Sequence, residues 1–392
     1  MKEFDELPNR RNRNSMKWAL ERRLSPEQVA AEPLPMWVAD MDFKVAEPIT
    51  KALQEEVQFG VHGYGGIPSS YLEAVAGWQE RRFGWKILHE WVVQTPGIVS
   101  AINLAMHAFT NAGDYVLIQT PVYVHFHYDI VINGRRLAQA PLHYDGERYH
   151  FDAAAFEAAI VPGTKLFILC NPHNPTGNMW TREELLSMAE ICKRHGVIVL
   201  ADEVHQDIIM STEKQHITFG TLGDEAAQNV LVATAPSKTF NVAGLQCSNI
   251  IIPNKQLRDD FRRQCERTGL NLVNSMGIVA CEAAYREGES WLERLLSYLR
   301  INQKMFAEHI HSLDRGLRVV QADATYLAWV DCRSLGMSDP ELNDFMIRKA
   351  RLWLDAGPKF GLGGTGFMRV NLACPNFLVE EAINRLKKAL AK

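Results

Sequence analysis

The chain has 392 residues, of which 47% are hydrophobic and 22% are charged, a composition typical of a globular protein. This length favours two domains, or one large α/β domain with an appendage. The net charge of −4 gives no electrostatic reason to expect nucleic acid or an anionic membrane as a partner. No apolar run approaches the roughly 20 residues of a transmembrane helix, and the first residues lack the apolar stretch of a secretory signal.

The cysteines are odd in number and have no short paired spacing. This pattern indicates reduced thiols, and it predicts a cytoplasmic protein without a disulfide framework or a zinc site. The segment His125-Phe126-His127 would place two histidines on one face of a strand. No cluster of cysteine or acidic residues completes a site, so we expect no metal. The cysteines are Cys170, Cys192, Cys247, Cys265, Cys281, Cys332 and Cys374.

The first part of the chain predicts an arm, two helices and a loop. Residues 27–40 are punctuated by prolines and predict an irregular arm that is not helical. Helical spacing over 48–59 and 70–82 flanks a glycine-rich loop at 60–68. Six apolar runs then alternate with helical or loop stretches, which predicts a mostly parallel sheet covered by helices on both faces. These runs are 91–93, 115–118, 166–169, 197–200, 230–233 and 249–252.

After about residue 285 the pattern predicts a smaller α+β domain. A long helical pattern is followed by short strands and two further helices, at 290–312, 318–320, 326–330, 340–350, 367–372 and 379–391. We therefore predict an α/β fold with three parts. Residues 1–48 form an N-terminal arm and part of the small domain, 49–284 a large domain, and 285–392 a small C-terminal domain.

Three of the predicted strands run into polar residues. Asn174 follows the run at 166–169, Asp202 follows 197–200, and Lys238 follows 230–233. The carboxyl ends of parallel strands meet at one edge of a sheet, where ligands bind. A free ammonium at the end of a buried strand is unfavourable, so Lys238 should be neutralised, paired or covalently engaged.

From Trp37 onwards the chain resembles pyridoxal-phosphate enzymes of the aspartate-aminotransferase fold, and more closely their cystathionine β-lyase-like C–S lyase branch. Eight segments occur in the order and at the spacings of that family. The resemblance implies an aspartate-aminotransferase-like fold and pyridoxal 5'-phosphate as the cofactor. The segments are WVADMDF, GYGGIP, TPGIVSA, TPVY, NPHNPTG, ADEVH, PSKTFNVAGL and FMRVNLACP.

The resemblance implies roles for five polar or aromatic residues. Lys238 is similar to the Schiff-base lysine that also serves as the acid and base at the substrate Cα. Asp202 would pair with the pyridine nitrogen, and a helix-capping aspartate is its alternative interpretation. Asn174 would hydrogen-bond the ring oxygen and lie near the substrate, and Tyr123 would stack on the ring unless it is ordinary core. Arg369 would clamp the substrate α-carboxylate, with a structural salt bridge as its alternative.

The resemblance also implies a phosphate site. The backbone of Gly97, Ile98 and Val99 would bind the anion at the start of a helix, with Ser237 as a hydroxyl donor. Tyr64 is similar to a tyrosine that reaches the phosphate from a neighbouring subunit, which implies a homodimer with shared active sites. The chain departs from the aminotransferase pattern in two places. Gln246 replaces an arginine, and Ala235 stands where a hydroxyl is usual.

The remaining site predictions concern the entrance and one histidine. Trp37, Val38 and Ala39 would line the substrate entrance. His205 replaces a tyrosine that aminotransferases commonly carry and would lie near the cofactor. An indirect contact with the ring and simple packing both remain open for it.

Together these residues predict a β-elimination that cleaves cystathionine or another S-substituted L-cysteine to a thiol, pyruvate and ammonia. An aminotransferase acting on an L-amino acid shares every step up to the carbanion and is the first alternative. A lyase-fold protein with an additional regulatory protein-binding role is the second. The loss of the phosphate arginine and the WVADMDF and SKTFNVAGL segments favour the lyase.

Overall fold

A computed structural model describes residues 2–11, 13–313 and 315–391. Its strands are β1 Leu34–Pro35, β2 Val92–Thr95, β3 Tyr115–Thr120, β4 Arg136–Pro141, β5 His143–Tyr144, β6 Tyr149–His150, β7 Thr164–Cys170, β8 Ile198–Asp202, β9 Val230–Thr234, β10 Ser248–Ile251, β11 Arg318–Val319, β12 Leu327–Asp331, β13 Leu352–Trp353, β14 Asp355–Ala356 and β15 Phe367–Asn371.

The helices surround these strands. They are α1 Pro26–Ala30, α2 Glu47–Phe59, α3 Ser69–Phe83, α4 Ile98–Phe109, α5 Val124–Ile132, α6 Ala153–Ala158, α7 Arg182–Arg194, α8 Asp224–Ala227, α9 Pro236–Thr239, α10 Lys255–Thr268, α11 Ser275–Glu287, α12 Glu289–His311, α13 Asp339–Asp344 and α14 Asn376–Leu390. A π-helical turn, Phe345–Lys349, continues α13.

The large sheet has seven strands in the order β2-β10-β9-β8-β7-β3-β4. Only β10 runs antiparallel to its neighbours. Alternate residues of the central strands enter two different cores. Leu166 and Ile168 pack on the side of α4, α5 and α10, whereas Phe167 and Leu169 pack on the side of α3, α7 and α11. The predicted sheet sandwiched by helices is therefore confirmed.

The smaller sheet is antiparallel, with the order β11-β12-β15-β14. Helices α12 and α14 and a separate apolar core lie against it. The N-terminal arm joins this region because β1 pairs in parallel with β13. The smaller α+β domain is thus confirmed, and the domain boundaries at residues 48 and 284 stay a prediction.

Two local predictions are wrong. Residues 27–30 are helical, because Ser25 and Gln28 form a capping box and Pro26 occupies the first helical turn of α1. His125 and His127 lie on helix α5 and not on a strand, so their spacing does not place them on one face. Within the described ranges, no group of three histidine, cysteine, aspartate or glutamate residues could hold a metal ion. No described helix is long and apolar enough to span a bilayer.

A buried charge network anchors the arm to the segment 36–43. The Nζ of Lys17 lies 2.6 Å from Oδ2 of Asp42, and neither side chain is more than 1% exposed. Arg10 binds both Asp42 and Asp40, at 2.7 and 2.5 Å. The indole of Trp18 donates to Asp42 as well, and these partners lower the pKa of the Asp42 carboxyl against the effect of burial. The network fixes the backbone that enters the site.

We expect Lys17→Met to destabilise the protein by about 3 kcal/mol, because it leaves the Asp42 carboxylate buried with fewer partners. The matched control is Lys44→Met, which removes an exposed lysine paired with Glu6 and should cost less than about 1 kcal/mol. The thermal unfolding midpoint of each variant measures the difference. Equal midpoints for the two variants would contradict the stabilising role of the buried pair.

Candidate active site

The predicted polar residues meet at one edge of the large sheet. Asp202 is the last residue of β8, Asn174 lies in the turn after β7, and Lys238 lies in α9 directly after β9. Since β7, β8 and β9 are neighbours and parallel, their carboxyl ends bring these side chains together. Arg369 reaches the same place from β15 of the smaller sheet, where it donates to the Asn174 side chain at 3.1 Å.

Lys238 is held by the segment 36–43. Its Nζ donates to the carbonyl oxygen of Ala39 at 2.7 Å. Burial, followed by the positive charge of Arg369, lowers the pKa of the Lys238 amine to about 8, although Asp40 and Asp202 act in the opposite direction. The amine therefore loses its proton far more readily than an ordinary lysine, as a nucleophile and base requires.

The carboxylate of Asp202 is buried and has no salt-bridge partner in the described part of the chain. Its side chain is 4% exposed and accepts a hydrogen bond from the backbone N–H of Val204 at 3.2 Å. Within the described ranges, no lysine, arginine or histidine nitrogen lies within 4 Å of its oxygens. Burial raises the pKa of the Asp202 carboxyl to about 7, with Val204 and Lys238 acting against the rise. A cation placed beside it would restore ionisation.

Arg369 is buried, and its guanidinium binds the smaller sheet and the segment 36–43. Its Nη2 donates to the carbonyl of Trp37 at 2.8 Å and to Asp355 at 2.7 Å, and its guanidinium lies 4.9 Å from the ring centre of Phe360. Its Nε is buried and has no acceptor among the described residues. A guanidinium has five N–H donors, so donors remain for an incoming carboxylate.

An aromatic and a histidine lie close to these charges. Burial raises the pKa of the Tyr123 hydroxyl to about 12, which keeps the side chain neutral. Burial, followed by the charges of Lys238 and Arg369, lowers the pKa of His205 to about 3. His205 is therefore a neutral imidazole, and its Nδ1 has no hydrogen-bond partner among the described residues. Its ring packs edge-on against Tyr326, with centroids 6.0 Å apart.

The predicted anion loop begins helix α4. Gly97 is the residue before the helix, and its φ of 88° strongly disfavours any side chain. Ile98 and Val99 lie in the first turn, where backbone N–H groups lack intrahelical acceptors and attract anions. Ser237 lies in α9, next to Lys238. The amide oxygen of Gln246 occupies the space beside Gly97, 3.0 Å from where a Cβ would stand.

The structure does not bring Tyr64 to this site within one chain. Tyr64 is fully exposed in the glycine-rich loop and contacts none of the residues above. Trp37, Val38 and Ala39 do lie at the site, because their carbonyls accept hydrogen bonds from Arg369, Asn371 and Lys238 respectively.

Four residues that hold the site were missed from the sequence. Asp355 pairs with Arg369, and Asn371 and Asn241 bind backbone groups of residues 38–43. Tyr326 donates to the carbonyl of Ala39. Asn371 and Asn241 fall within the family-like segments FMRVNLACP and PSKTFNVAGL, which was the available signal. No sequence motif pointed to Asp355 or Tyr326, because their roles depend on contacts between distant parts of the chain.

Comparison with known proteins identifies the family. The sequence model of aminotransferase class I and II matches residues 36–386, and the chain belongs to that family. It is 40% identical over 389 residues to cystathionine beta-lyase PatB of Bacillus subtilis, covering 99% of this chain and 100% of that protein. Protein MalY of Escherichia coli is 32% identical, with 92% of each chain covered.

Solved structures agree with these relatives. Cystalysin from Treponema denticola, which contains a pyridoxal 5'-phosphate cofactor, has a TM-score of 0.93 and 34% identity, covering 99% of this chain and 98% of that one. The PLP-bound C–S lyase from Staphylococcus hominis has a TM-score of 0.91 and 30% identity, with 99% and 98% covered. The predicted resemblance to the C–S lyase branch of the superfamily is confirmed.

We expect Asp202→Asn to change the pH dependence of stability of the cofactor-free protein. The pKa of the Asp202 carboxyl is higher in the folded protein than in the unfolded chain. Its contribution to stability is therefore fully present at a pH below the ordinary carboxyl pKa, and it is lost as the pH rises through about 7. The stability of the wild type relative to Asp202→Asn should therefore fall between pH ~4 and pH ~8. The fall is at most about 4 kcal/mol, from about 1.4 kcal/mol per pKa unit.

Thermal midpoints of both proteins across this pH range measure the effect. The control is Asp259→Asn, because a hydrogen bond from Lys255 lowers the pKa of the Asp259 carboxyl. That variant should not reproduce the trend. Parallel curves for wild type and Asp202→Asn would show that Asp202 does not titrate as described.

Proposed function

We propose that this protein is a pyridoxal-phosphate-dependent carbon–sulfur β-lyase. Its substrates would be cystathionine or other S-substituted L-cysteines, and its products a thiol, pyruvate and ammonia. The observation that carries the proposal is the buried Asp202 carboxylate, which has no salt-bridge partner among the described residues and lies at the same sheet edge as Lys238. A protonated pyridine nitrogen is the kind of cation that such a carboxylate takes.

The other side chains at the site fit the same cofactor. We assign Lys238 to its covalent attachment, Asn174 to its ring oxygen and Tyr123 to its ring face. The first turn of α4, from Gly97 to Val99, offers backbone donors for a phosphate. Ser237 would add a hydroxyl, and His205 would remain an uncharged neighbour of the ring. When bound, the cofactor supplies a sink for the electron pair of a broken Cα–H bond.

The protein residues would bind the substrate and move its proton. Arg369 would hold the α-carboxylate through donors that are still available on its guanidinium, and Trp37, Val38 and Ala39 would border the entrance. The amine of Lys238, released when the substrate amine replaces it, would remove the Cα proton. Loss of the thiolate from Cβ and hydrolysis of the remaining carbon skeleton would then give pyruvate and ammonia.

The lyase is favoured over an aminotransferase by the named relatives. PatB is called a cystathionine beta-lyase, and the Staphylococcus hominis protein a C–S lyase. The two reactions share Lys238, Asp202 and Arg369, so the products must separate them. A cytoplasmic location is also proposed, supported by seven cysteines that are all buried and unpaired.

We further propose a homodimer with shared active sites. Exposed apolar side chains cluster in sequence from α2 through the glycine-rich loop, and an interface would cover them. They include Val57, Phe59, Val61 and Tyr64, which are 60% to 101% exposed. Tyr64 would then reach the partner's phosphate site. The proposal requires a dimeric mass by light scattering, and a monomeric mass for active protein would contradict it.

The test of function is pyruvate formation from L-cystathionine by cofactor-loaded protein without any added 2-oxo acid. We expect sustained pyruvate with an equal amount of ammonia. Lys238→Ala should lower the rate at least about a thousandfold, within the range that a positioned general base contributes. Lys255→Ala removes an exposed lysine and should leave the rate unchanged.

Two outcomes would overturn the assignment. If no pyruvate forms and the cofactor is instead converted once to its amine form, a change that a 2-oxo acid reverses, the protein is an aminotransferase. If Lys238→Ala retains near-normal activity while folded, Lys238 is not the base.

A further inference from the structure

The carbonyl oxygen of Ala39 accepts hydrogen bonds from two side chains at once. The Nζ of Lys238 lies 2.7 Å away and the hydroxyl of Tyr326 lies 2.9 Å away. A carbonyl oxygen has two lone pairs and can accept both. Because both donors point at one atom, the positive end of the Tyr326 O–H dipole lies close to the lysine ammonium.

The Ala39 carbonyl is held in place and cannot turn to favour one donor. The carbonyl of Trp37 before it is bound by Arg369, and those of Val38 and Asp40 on either side are bound by Asn371. These anchors come from β15, so the peptide at Ala39 is fixed against the smaller sheet. A change in the donor strength of Lys238 or Tyr326 therefore alters the strengths of these two hydrogen bonds and does not turn the carbonyl.

Tyr326 is suited to remain a neutral donor. It is fully buried, and burial raises the pKa of its hydroxyl well above the ordinary value for tyrosine. Its hydroxyl donates to Ala39 O, and its ring packs against His205. When Lys238 leaves Ala39 O to bind the cofactor, Tyr326 still satisfies that carbonyl. A buried acceptor without a donor would otherwise cost about 1–3 kcal/mol.

We propose that Tyr326 is a positioning residue that shares the Ala39 carbonyl with Lys238 and thereby sets the balance between the free lysine and the cofactor-bound lysine. The cofactor-bound side of this balance rests on the proposed function, whereas the titration of the free lysine does not. The hydroxyl of Tyr326 weakens the hydrogen bond between the free Lys238 ammonium and the Ala39 carbonyl. It also keeps that carbonyl hydrogen-bonded when Lys238 has moved to the cofactor.

Other charges around Lys238 stay unchanged when Tyr326 is replaced. Asp202 faces the lysine from β8, Asp40 from the segment 36–43, and Arg369 from β15, while His205 is neutral. Tyr326→Phe removes only the hydroxyl. A change in the titration of Lys238 in this variant therefore comes from the loss of the Tyr326 hydrogen bond to the Ala39 carbonyl.

The test uses cofactor-free protein, in which the rate of Lys238 acylation is measured against pH by mass spectrometry of the labelled peptide. In Tyr326→Phe the midpoint of labelling should rise by about 0.5–1 pH unit, because the ammonium no longer competes with a second donor. The dissociation constant of pyridoxal phosphate, measured by absorbance titration, should rise at least about 3- to 10-fold, the ratio that corresponds to the shift in midpoint. The loss of the remaining donor to the Ala39 carbonyl when the lysine leaves acts in the same direction.

Two further variants separate this role from a general effect on packing. Tyr298→Phe removes a buried hydroxyl that binds Asp5 and Asn376 in another region, and it should change neither quantity. A ring-fluorinated tyrosine at position 326 keeps the side-chain shape and donates more strongly, so the labelling midpoint should fall. This variant provides the test if Tyr326→Phe does not fold.

An unchanged or lower midpoint in folded Tyr326→Phe, or an equal shift in Tyr298→Phe, would overturn the inference. A wild-type protein that binds no pyridoxal phosphate would overturn the proposed function instead. In that case the labelling midpoints in cofactor-free protein would still decide the role of Tyr326.

Discussion

The arrangement of the site depends on one electrostatic constraint, the buried carboxylate of Asp202 without a salt-bridge partner among the described residues. Removing an ionised carboxylate from water is strongly unfavourable, and the raised pKa of Asp202 expresses that effect. A fold that keeps this group at the end of its central strand has a site complementary to a cation. The proposed cofactor supplies such a cation at its ring nitrogen.

The segment 36–43 organises the side chains on the opposite side of the site. Its successive carbonyls bind Arg369, Asn371, and the pair Lys238 and Tyr326. Arg369 and Asn371 lie in β15 of the smaller sheet, and Lys238 lies in α9 directly after β9 of the large sheet. One stretch of backbone therefore determines how the proposed substrate clamp and the proposed base lie relative to each other. The Lys17–Asp42 network and the Asn241 side chain then fix that stretch against the rest of the fold.

Much of the architecture could be predicted because the central strands are continuous apolar runs. Strand β4 was missed because it is an edge strand in which Arg136 and Gln139 interrupt the apolar pattern. Helix α1 was missed because prolines obscured the capping box at Ser25. The antiparallel direction of β10 is set by pairing with β2, far away in the sequence, and periodicity contains no information about it.

The site residues also divide into those that local sequence places and those that only the pairing of distant segments places. Lys238, Asp202 and Asn174 could be placed together because they end neighbouring strands. The reach of Arg369 across to Asn174 follows only from the packing of the two sheets. Asp355 could not be found from the sequence, because its role depends on lying opposite Arg369 in the register of β14 and β15. Tyr64 does not reach the site within one chain, and its role belongs to the proposed dimer.

The measurement that tests this account most directly is nitrogen-15 NMR of pyridoxal phosphate labelled at the ring nitrogen and bound to the protein. The account predicts a protonated ring nitrogen at neutral and mildly alkaline pH in the wild type, and loss of that proton in Asp202→Asn. A ring nitrogen that is unprotonated in the wild type, or equally protonated in both proteins, would contradict the role given to Asp202.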